Sequence, residues 1–258
     1  MDYLVTAGGT SERIDGVRSI TNFATGRLGS LIAEKLAGQS GAECAPEHGT
    51  GKIFYVCGKH AVRPNLGTGG RYMRTIEVVP VEGVSDLEAQ VREILRENKI
   101  GAIAHTMAVS DYYVDRVLDA TGNKIKNADK IDSSHRELRL VLKPAKKIIG
   151  MFHELSPESV LVGFKLLNRV PETTLLDAAY ALLVKNNCAA VLANDLTAIS
   201  GEKHAAFLLD AQKNIVRFET KEQIAQGICR FIQQTVPQTI QPETVQPGIV
   251  RQSAEAVP

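Results

Sequence analysis

The order of apolar and polar positions predicts buried strands that alternate with amphipathic helices. In the first half of the chain, apolar runs predict strands at Leu4–Val5, Ile53–Val56, Ile76–Val81 and Ile100–Ala104. A first helix is predicted from about Thr25 to Leu36. A second follows the capping-box spacing Ser85-Asp-Leu-Glu88 and carries Leu87, Val91, Ile94 and Leu95 on one face. This alternation indicates an α/β fold with a mainly parallel sheet flanked by helices.

The pattern changes after the strand at Ile100–Ala104. Asp115 to Ser134 is polar, includes lysines 124, 126 and 130, and shows no apolar period. Glu137 to Lys143 then alternates strictly, as a strand with one solvated face does. We interpret residues 113–145 as a flap, an excursion from the parallel sheet with a mobile loop and an added antiparallel strand.

The second half returns to the first pattern and ends in a polar tail. Further strands are predicted at Val160–Phe164 and Ala190–Ala193, a helix around Leu175–Leu183, a hairpin from Ala205–Leu209 and Ile215–Phe218, and a last helix around Ile224–Ile232. Gly38 to Lys52 is rich in Gly, Glu and Pro and predicts an enlarged surface loop. We expect one domain over residues 1–235 and a disordered tail over 236–258, where Pro, Gln and Thr lack any apolar period.

Composition excludes several classes of protein. The 258 residues are 44% hydrophobic and 23% charged with a net charge of +1, which gives no electrostatic argument for nucleic acid or an anionic membrane. No apolar run approaches the roughly 18 residues of a membrane span. The chain begins in a strand without a leader pattern, so we expect a cytoplasmic protein. Four scattered cysteines and six histidines show no metal-ligand spacing, and no protein-built metal site is expected.

Two glycine clusters give the strongest indication of chemistry. Thr6-Ala-Gly-Gly-Thr10 follows the first strand, and Thr25-Gly-Arg-Leu-Gly29 opens the first helix. Glycines allow close approach of the backbone to a ligand, and free N–H groups at a helix start favour phosphate. Arg18 and Asn22 lie between the clusters and suit a second anionic substrate. From the residues alone, an ordinary strand-turn-helix connection remains an equal alternative.

Other nucleotide-binding classes fit less well. A dinucleotide fold needs a compact G-x-G-x-x-G and an acid about 20 residues further on. Here a long insertion separates Gly9 from Gly26, and the second strand ends at Gly58 without an acid. Lys59 and Arg63 could hold a 2′-phosphate, so an NADP-dependent short-chain-type reductase stays open, as does a nucleotide sensor without turnover. A P-loop is excluded because G-x-x-x-x-G-K-[ST] does not occur.

The glycine segments resemble those of phosphopantothenate-cysteine ligases, which act second in coenzyme A synthesis from pantothenate. The similar segments keep their order from residue 6 to about residue 210. They are Thr6–Asp15, Val17–Asn22, Thr25–Gly29, Ala108–Tyr112, Lys130–Ser134, Leu161–Leu166, Val191–Asp195 and Gly201–His204. The resemblance is to the stand-alone, monofunctional bacterial type. It implies a Rossmann-like sheet and a homodimer.

The resemblance also implies the reaction. The carboxylate of 4′-phosphopantothenate would attack the α-phosphorus of a nucleoside triphosphate, giving an acyl-nucleotide and pyrophosphate. The amine of L-cysteine would then attack the activated carbonyl and release nucleoside monophosphate. Such chemistry needs positioning and charge neutralisation more than an enzyme nucleophile. We expect CTP rather than ATP, with Mg²⁺ bound chiefly through the triphosphate.

Residue roles follow from the matched positions. Asn22 would hold the substrate carboxylate and acyl-nucleotide, and Lys130 would neutralise phosphate charge. Arg18 would reach phosphopantothenate bound to the neighbouring subunit, and Ala108 and Asp111 would contact substrate. The residues expected to bind the nucleotide are Gly8, Gly9, Thr10, Thr25, Gly26, Gly29, Phe164 and Asn194. Three residues depart from the family pattern. Ala24 stands where many members carry a hydroxyl residue, so a phosphate contact would be lost or passed to Thr25. Met107 could narrow the pantothenate channel, and we interpret His105 as a core histidine.

Overall fold

The computed structural model describes residues 1–38, 51–65, 74–125, 129–201 and 203–236. Most of the predicted loop from Gly38 to Lys52, together with Cys44, lies outside the described residues. So does the predicted tail from residue 237 onward. The disorder expected of that tail stays a prediction.

The described residues form thirteen strands and five α-helices. The strands are β1 (Asp2–Ala7), β2 (Ser11–Arg13), β3 (Ser19–Thr21), β4 (Gly51–Gly58), β5 (Arg74–Val81), β6 (Ile100–His105), β7 (Tyr112–Leu118), β8 (Arg139–Pro144), β9 (Val160–Leu167), β10 (Ala190–Asp195), β11 (Ile199–Ser200), β12 (Lys203–Asp210) and β13 (Ile215–Thr220). The helices are α1 (Arg27–Ala37), α2 (Val84–Glu97), α3 (Ile148–Leu155), α4 (Glu172–Asn186) and α5 (Lys221–Thr235).

A mixed, mostly parallel sheet organises the fold, as predicted. Its order is β11-β12-β10-β9-β6-β1-β4-β5, and β13 pairs with β12 at the antiparallel end. From β1 the chain moves outward to β4 and β5. It then returns to the other side of β1 with β6 and continues to β9 and β10. The strand order therefore reverses between β1 and β6, and in Rossmann-like sheets this switch point is where ligands bind.

Helices cover both faces of the sheet. The strands between them are continuous apolar runs because both of their faces are buried. On one face, Val5 and Tyr55 pack with Ile32 of α1 and Ile228 of α5. On the other face α2, α3 and α4 cover a second core, which includes the buried Met107. No helix in the described ranges has the length and apolar character needed to cross a bilayer.

The flap is a two-stranded antiparallel ribbon that lies outside the main sheet. β7 pairs with β8 from Tyr112–Pro144 to Leu118–Arg139. The added strand is thus confirmed. Its partner β7 was not predicted, and it extends to Leu118, into the polar segment that shows no apolar period. β7 was difficult to predict because the side chains of this ribbon are largely exposed. The exposed side chains include Tyr112, Tyr113, Leu140 and Leu142. Hydrophobic periodicity reports burial, which this strand lacks in the single chain.

Two further elements escaped sequence analysis. The hairpin β2–β3 has three residues in each strand, and its residues are half-buried or exposed. α3 has eight residues, and its adjacent apolar pairs obscure a helical period. The capping box was also misplaced, since α2 begins at Val84 without a side-chain cap from its N-cap residue, Gly83. Instead, Glu12 from β2 accepts the Val84 N–H at 2.9 Å.

Two histidines are buried in the sheet region. His105 is 7% exposed, and its Nδ1 lies 2.8 Å from Thr6 Oγ1, which confirms the interpretation as a core histidine. His204 is 6% exposed, and neither ring nitrogen has a partner among the described residues. Burial lowers the pKa of each to about 4, and Lys221 adds to the effect on His204. Both side chains are therefore neutral in the folded protein at neutral pH.

This burial predicts a loss of stability between pH 6.5 and pH 4. In that window the unfolded histidines take up protons and the folded ones do not, so the free energy of unfolding falls as pH falls. At pH 5 each histidine should lower it by about 2 kcal/mol relative to pH 7. Urea unfolding at both pH values should show that His204→Leu removes about half of the combined loss, since leucine does not titrate.

The matched control is His60→Leu, because the His60 side chain is exposed. It should keep the pH dependence of the wild-type protein. An equal loss in the His204 and His60 variants would contradict the assignment to burial.

Candidate active site

The backbone ends of β1 and β6 meet at the switch point. Gly9 bridges to Ala108 in parallel, the Ala108 N–H donates to Gly8 O at 2.8 Å, and the Thr10 N–H donates to Ala108 O at 3.2 Å. The segments expected to bind nucleotide and substrate are therefore hydrogen-bonded to each other. They form one shared platform where the strand order reverses.

Glycines allow the backbone segments of this platform to pack closely together. Gly8 and Gly26 have φ values of 78° and 75°, and a Cβ on either would lie within 3 Å of Ala61 Cβ. A Cβ on Gly9 would lie 2.5 Å from Asn22 O, and one on Gly58 would lie 2.4 Å from Gly9 O. These glycines are required by backbone approach and, at two positions, by the left-handed region. The turn interpretation is thus correct as far as it goes, and it is compatible with a ligand site.

The start of α1 suits an anion. Its N-cap, Gly26, supplies no side-chain hydrogen bond, and the first turn contains no acidic residue. Thr25 Oγ1 accepts the Arg27 N–H at 3.4 Å, which leaves other N–H groups of the first turn without a side-chain cap. Such uncapped N–H groups and the helix dipole favour negative charge.

Two of the residues that we expected to bind the nucleotide are buried and make packing or hydrogen-bond contacts within the protein. Gly29 is buried, and a Cβ there would lie 2.5 Å from Ala7 Cβ, so its absence lets α1 approach β1. Thr10 is fully buried, and its Oγ1 accepts the Ser110 N–H at 2.9 Å. Their direct contact with nucleotide stays a prediction. Their observed role is to fix the backbone of the platform.

Asn22 is held at the edge of the platform with its amide oxygen uncommitted. Its Nδ2 donates to Ala108 O at 3.0 Å, and its backbone N–H reaches Thr10 O at 3.4 Å. Within the described ranges, Asn22 Oδ1 accepts no hydrogen bond. The bond to Ala108 therefore orients the half-buried amide and leaves Oδ1 and one N–H available for a ligand.

Phe164 and Asn194 lie on neighbouring strands, β9 and β10. Phe164 pairs in register with Leu192, two residues before Asn194, so the two side chains share the sheet face that α1 covers. β9 is two strands from β1, a distance of about 10 Å across the sheet. The next residue, Asp195, accepts hydrogen bonds from the Thr197 hydroxyl and from the Val170 and Thr197 N–H groups. These bonds, the hydroxyl bond foremost, lower the pKa of its carboxyl and fix the strand end.

Three residues expected to serve the substrate, Arg18, Asp111 and Lys130, define what we call the substrate side. Arg18 donates from Nε to Asp15 at 2.9 Å and from Nη2 to Ile131 O at 2.9 Å, so it contacts the flap of its own chain. Asp111 is exposed and pairs with Lys147. Lys130 is exposed, and its amine has no partner in the part of the chain that the structure describes.

Sequence reasoning missed two carboxylates that organise this side. Asp15 joins the β2–β3 turn to the flap. Glu82 accepts two bonds from Arg13, at 2.7 and 2.9 Å, and one from Lys59 at 2.9 Å. These cations lower the Glu82 pKa to about 2. Asp15 ends the segment Thr6–Asp15, which resembles the ligase family, and it lies three residues before Arg18. That position was the sequence feature from which a pairing with Arg18 could have been predicted.

A cleft of about 310 Å³ adjoins Asp15. The β2–β3 turn, β7 and Asp129 of the flap line it, and the glycine platform does not. Its position between the turn and the ribbon separates it from the expected triphosphate site. The cleft is therefore distinct from the glycine platform and adjoins the Asp15–Arg18 pair.

The reductase alternative is supported by one pair of residues in the sequence, but the structure does not place that pair as a reductase would need. Tyr55 and Lys59 have the Tyr-x-x-x-Lys spacing of short-chain reductases. Tyr55 is fully buried and donates its hydroxyl to Val62 O at 2.7 Å, and burial raises its pKa. Lys59 pairs with Glu82 instead. Tyr55 and Lys59 therefore do not form a catalytic pair.

Comparison with known proteins places the chain in a family. The profile described as DNA/pantothenate metabolism flavoprotein C-terminal domain matches residues 1–236. The chain belongs to this family. A solved family structure, the DNA/pantothenate metabolism flavoprotein from Streptococcus pneumoniae, is 33% identical with a TM-score of 0.74, and the match covers 91% of this chain and 99% of that one.

Two other relatives carry more specific names. The coenzyme A biosynthesis bifunctional protein CoaBC of Thermococcus kodakarensis is 33% identical over 227 residues, which are 87% of this chain and 49% of that protein. The chain thus spans about half the length of this curated relative. A Cab2 variant solved in complex with phosphopantothenate-cysteine is 16% identical, with a TM-score of 0.64 over 90% of this chain and 86% of that one. At that identity the likeness shows the fold alone.

The close approach at Gly8 can be tested by a double-mutant cycle. Gly8→Ala should destabilise the protein by about 1–3 kcal/mol, because its Cβ would lie 2.6 Å from Ala61 Cβ. Ala61→Gly removes that contact and should restore about 1 kcal/mol in the double variant, leaving the cost of the positive φ. Urea unfolding of the four proteins measures both terms. Strictly additive effects of the two substitutions would contradict the contact.

Proposed function

We propose that the chain is a phosphopantothenate-cysteine ligase, which joins 4′-phosphopantothenate and L-cysteine through an acyl-nucleotide. The observation that carries the proposal is the shared platform of Gly8, Gly9, Asn22 and Ala108 at the switch point. It brings an expected phosphate site and an expected carboxylate site into one hydrogen-bonded unit. The family membership and the names of the relatives support the same reaction.

The nucleotide would bind with its triphosphate at the start of α1. Uncapped N–H groups there neutralise phosphate charge, and the Gly8–Gly9 backbone leaves room for close approach. The base and ribose would extend along the sheet edge toward Phe164 and Asn194. We propose CTP as the favoured nucleotide. Mg²⁺ would be held chiefly by the phosphates, which supply the oxygen ligands it prefers.

Asn22 and two cations would serve the substrate side. The free Oδ1 and remaining N–H of Asn22 can orient a carboxylate or acyl-nucleotide beside the α-phosphate. Lys130 can neutralise charge that develops on the phosphate, because its amine is unpaired among the described residues. Arg18 keeps its Nη1 group for an anionic substrate. Binding and orientation thus account for the residues present.

We also propose a homodimer, in which the flap forms the contact. The ribbon β7–β8 exposes Tyr112 at 54%, Tyr113 at 38% and Leu142 at 44%, which is unusual for apolar side chains on two paired strands. Burying them against a second copy would place Arg18 near a neighbouring site. Light scattering at micromolar concentration should give about twice the 28.0 kDa chain mass. Tyr113→Asp should shift it to the monomer, and a monomeric wild-type protein would contradict the proposal.

The ligase reaction is tested by pyrophosphate release. Folded protein with Mg²⁺ and CTP should release pyrophosphate only when 4′-phosphopantothenate is present, and adding L-cysteine should give turnover. A parallel series with ATP measures the nucleotide preference. Nucleotide binding without release would support a sensor instead. Silence together with tight NADPH binding would support the reductase.

Asn22→Ala sharpens this test. It should reduce kcat by about 10²-fold, because it removes an oriented group that contacts the reacting carboxylate, while the Kd for nucleotide changes little. The matched control is Asn214→Ala in the β12–β13 turn, which should keep wild-type turnover. Unchanged kcat in the Asn22 variant would exclude its proposed role.

A further inference from the structure

The turn between β2 and β3 and the flap segment 129–131 are joined by a dense set of contacts. Arg18 donates from Nη2 to Ile131 O at 2.9 Å, and the Ile131 N–H donates to Asp15 Oδ2 at 3.1 Å. Both backbone polar groups of Ile131 are therefore bound by two side chains of one turn. The Ile131 side chain is 4% exposed in a segment whose neighbours Lys130 and Asp132 are exposed.

Asp15 is the centre of these contacts. Its side chain is 1% exposed, and Oδ1 accepts the Val17 and Arg18 N–H groups at 2.9 and 2.8 Å. Oδ2 accepts from the Arg18 guanidinium and from Ile131. The Arg18 guanidinium, followed by these backbone N–H groups, lowers the pKa of the carboxyl. A buried, ionised carboxylate with its acceptor sites filled by charged and neutral donors is a strong and directional anchor.

Gly16 provides a second, independent contact with the same segment. A Cβ at Gly16 would lie 2.1 Å from Asp129 O and 3.0 Å from its carbonyl carbon. Since its φ is outside the left-handed region, alanine would fit the backbone, and the obstacle is the flap alone. The turn therefore contacts the residues on both sides of Lys130.

We propose that Asp15 and Gly16 are positioning residues that hold Lys130 at the site. They bind the backbone at Asp129 and Ile131, which leaves the Lys130 amine as the free group between two fixed neighbours. Asp15 also binds the Arg18 guanidinium, so one carboxylate holds both Arg18 and the backbone beside Lys130. This inference rests on the proposed ligase function.

Fixing the backbone on both sides matters because a lysine on an unrestrained loop must be ordered during the reaction. Ordering one residue costs about 1–2 kcal/mol of backbone entropy, which would otherwise raise the barrier. In the folded protein the anchor has already ordered this backbone, so the entropy loss does not add to the barrier of the reaction. Loosening the anchor should therefore lower kcat more than nucleotide affinity, since the glycine platform is a separate unit.

The test uses the full chain and compares Asp15→Asn and Gly16→Ala with two matched controls. Asp210→Asn makes the same change in a turn where the carboxylate accepts from Gln212 and Asn214. Gly150→Ala makes the same change where the nearest atom is 3.9 Å away. Amide exchange at Ile131, measured by NMR without substrates, reports the anchor. Kinetics with 4′-phosphopantothenate, L-cysteine and nucleotide report the function.

We expect Ile131 exchange to accelerate about ten-fold in both anchor variants and in neither control, as loss of one hydrogen bond predicts. The kcat should fall about ten-fold or more, with the KM for nucleotide changed less than about two-fold. In the Lys130→Ala background, Gly16→Ala should cause less than about a two-fold further loss, because the residue acts through Lys130. A purely structural role would not give this dependence.

Three results would overturn the inference: unchanged Ile131 exchange in both folded anchor variants, faster exchange with unchanged kcat, or full multiplication of the Gly16 and Lys130 losses. If Asp15→Asn fails to fold, Gly16→Ala alone decides. Folded wild-type protein without turnover would overturn the proposed function and the positioning role with it. That outcome is distinguishable because the exchange rates need no substrate.

Discussion

Backbone-to-backbone contact at the switch point is the constraint on which the rest of the structure depends. β1, β4, β6 and the start of α1 meet where Gly8, Gly9, Gly26 and Gly58 lack side chains. Because these segments touch directly, small displacements are resisted by backbone sterics rather than by adaptable side chains. The same contacts keep N–H groups of the α1 start and the Asn22 amide in fixed relation. The relative positions of these groups are thus fixed by the backbone itself.

The charges around the site are sorted by pairing. Glu82 binds Arg13 and Lys59, and Asp111 binds Lys147, so several surface cations are already neutralised. Lys130 is left unpaired among the described residues, and Arg18 keeps part of its guanidinium. An anionic substrate would therefore meet few competing cations. In the ligase that we propose, this sorting would let a chain with a net charge of +1 favour a highly charged ligand locally.

Sequence predicts the parts of this molecule whose residues are buried. The strands of the main sheet and helices such as α2 were recognised because burial on both faces produces apolar runs and burial on one face produces a helical period. β7 and the hairpin β2–β3 were missed because exposed elements carry no such period. The glycine segments could be recognised by motif. The neighbour that requires each glycine could not be predicted, because Gly8 and Gly29 look alike in sequence, whereas the first lies against Ala61 and the second against Ala7.

The hairpin β2–β3 is attached to the molecule by polar contacts, with little apolar burial of its own. Val17 is 66% exposed and Ile20 is 38% exposed, while Glu12, Arg13 and Asp15 supply the bonds. The position of the hairpin therefore depends on a few directional bonds to particular residues, whereas apolar burial holds the doubly covered sheet. The molecule therefore combines two kinds of attachment: apolar burial on both faces for the sheet, and directional polar bonds for the hairpin.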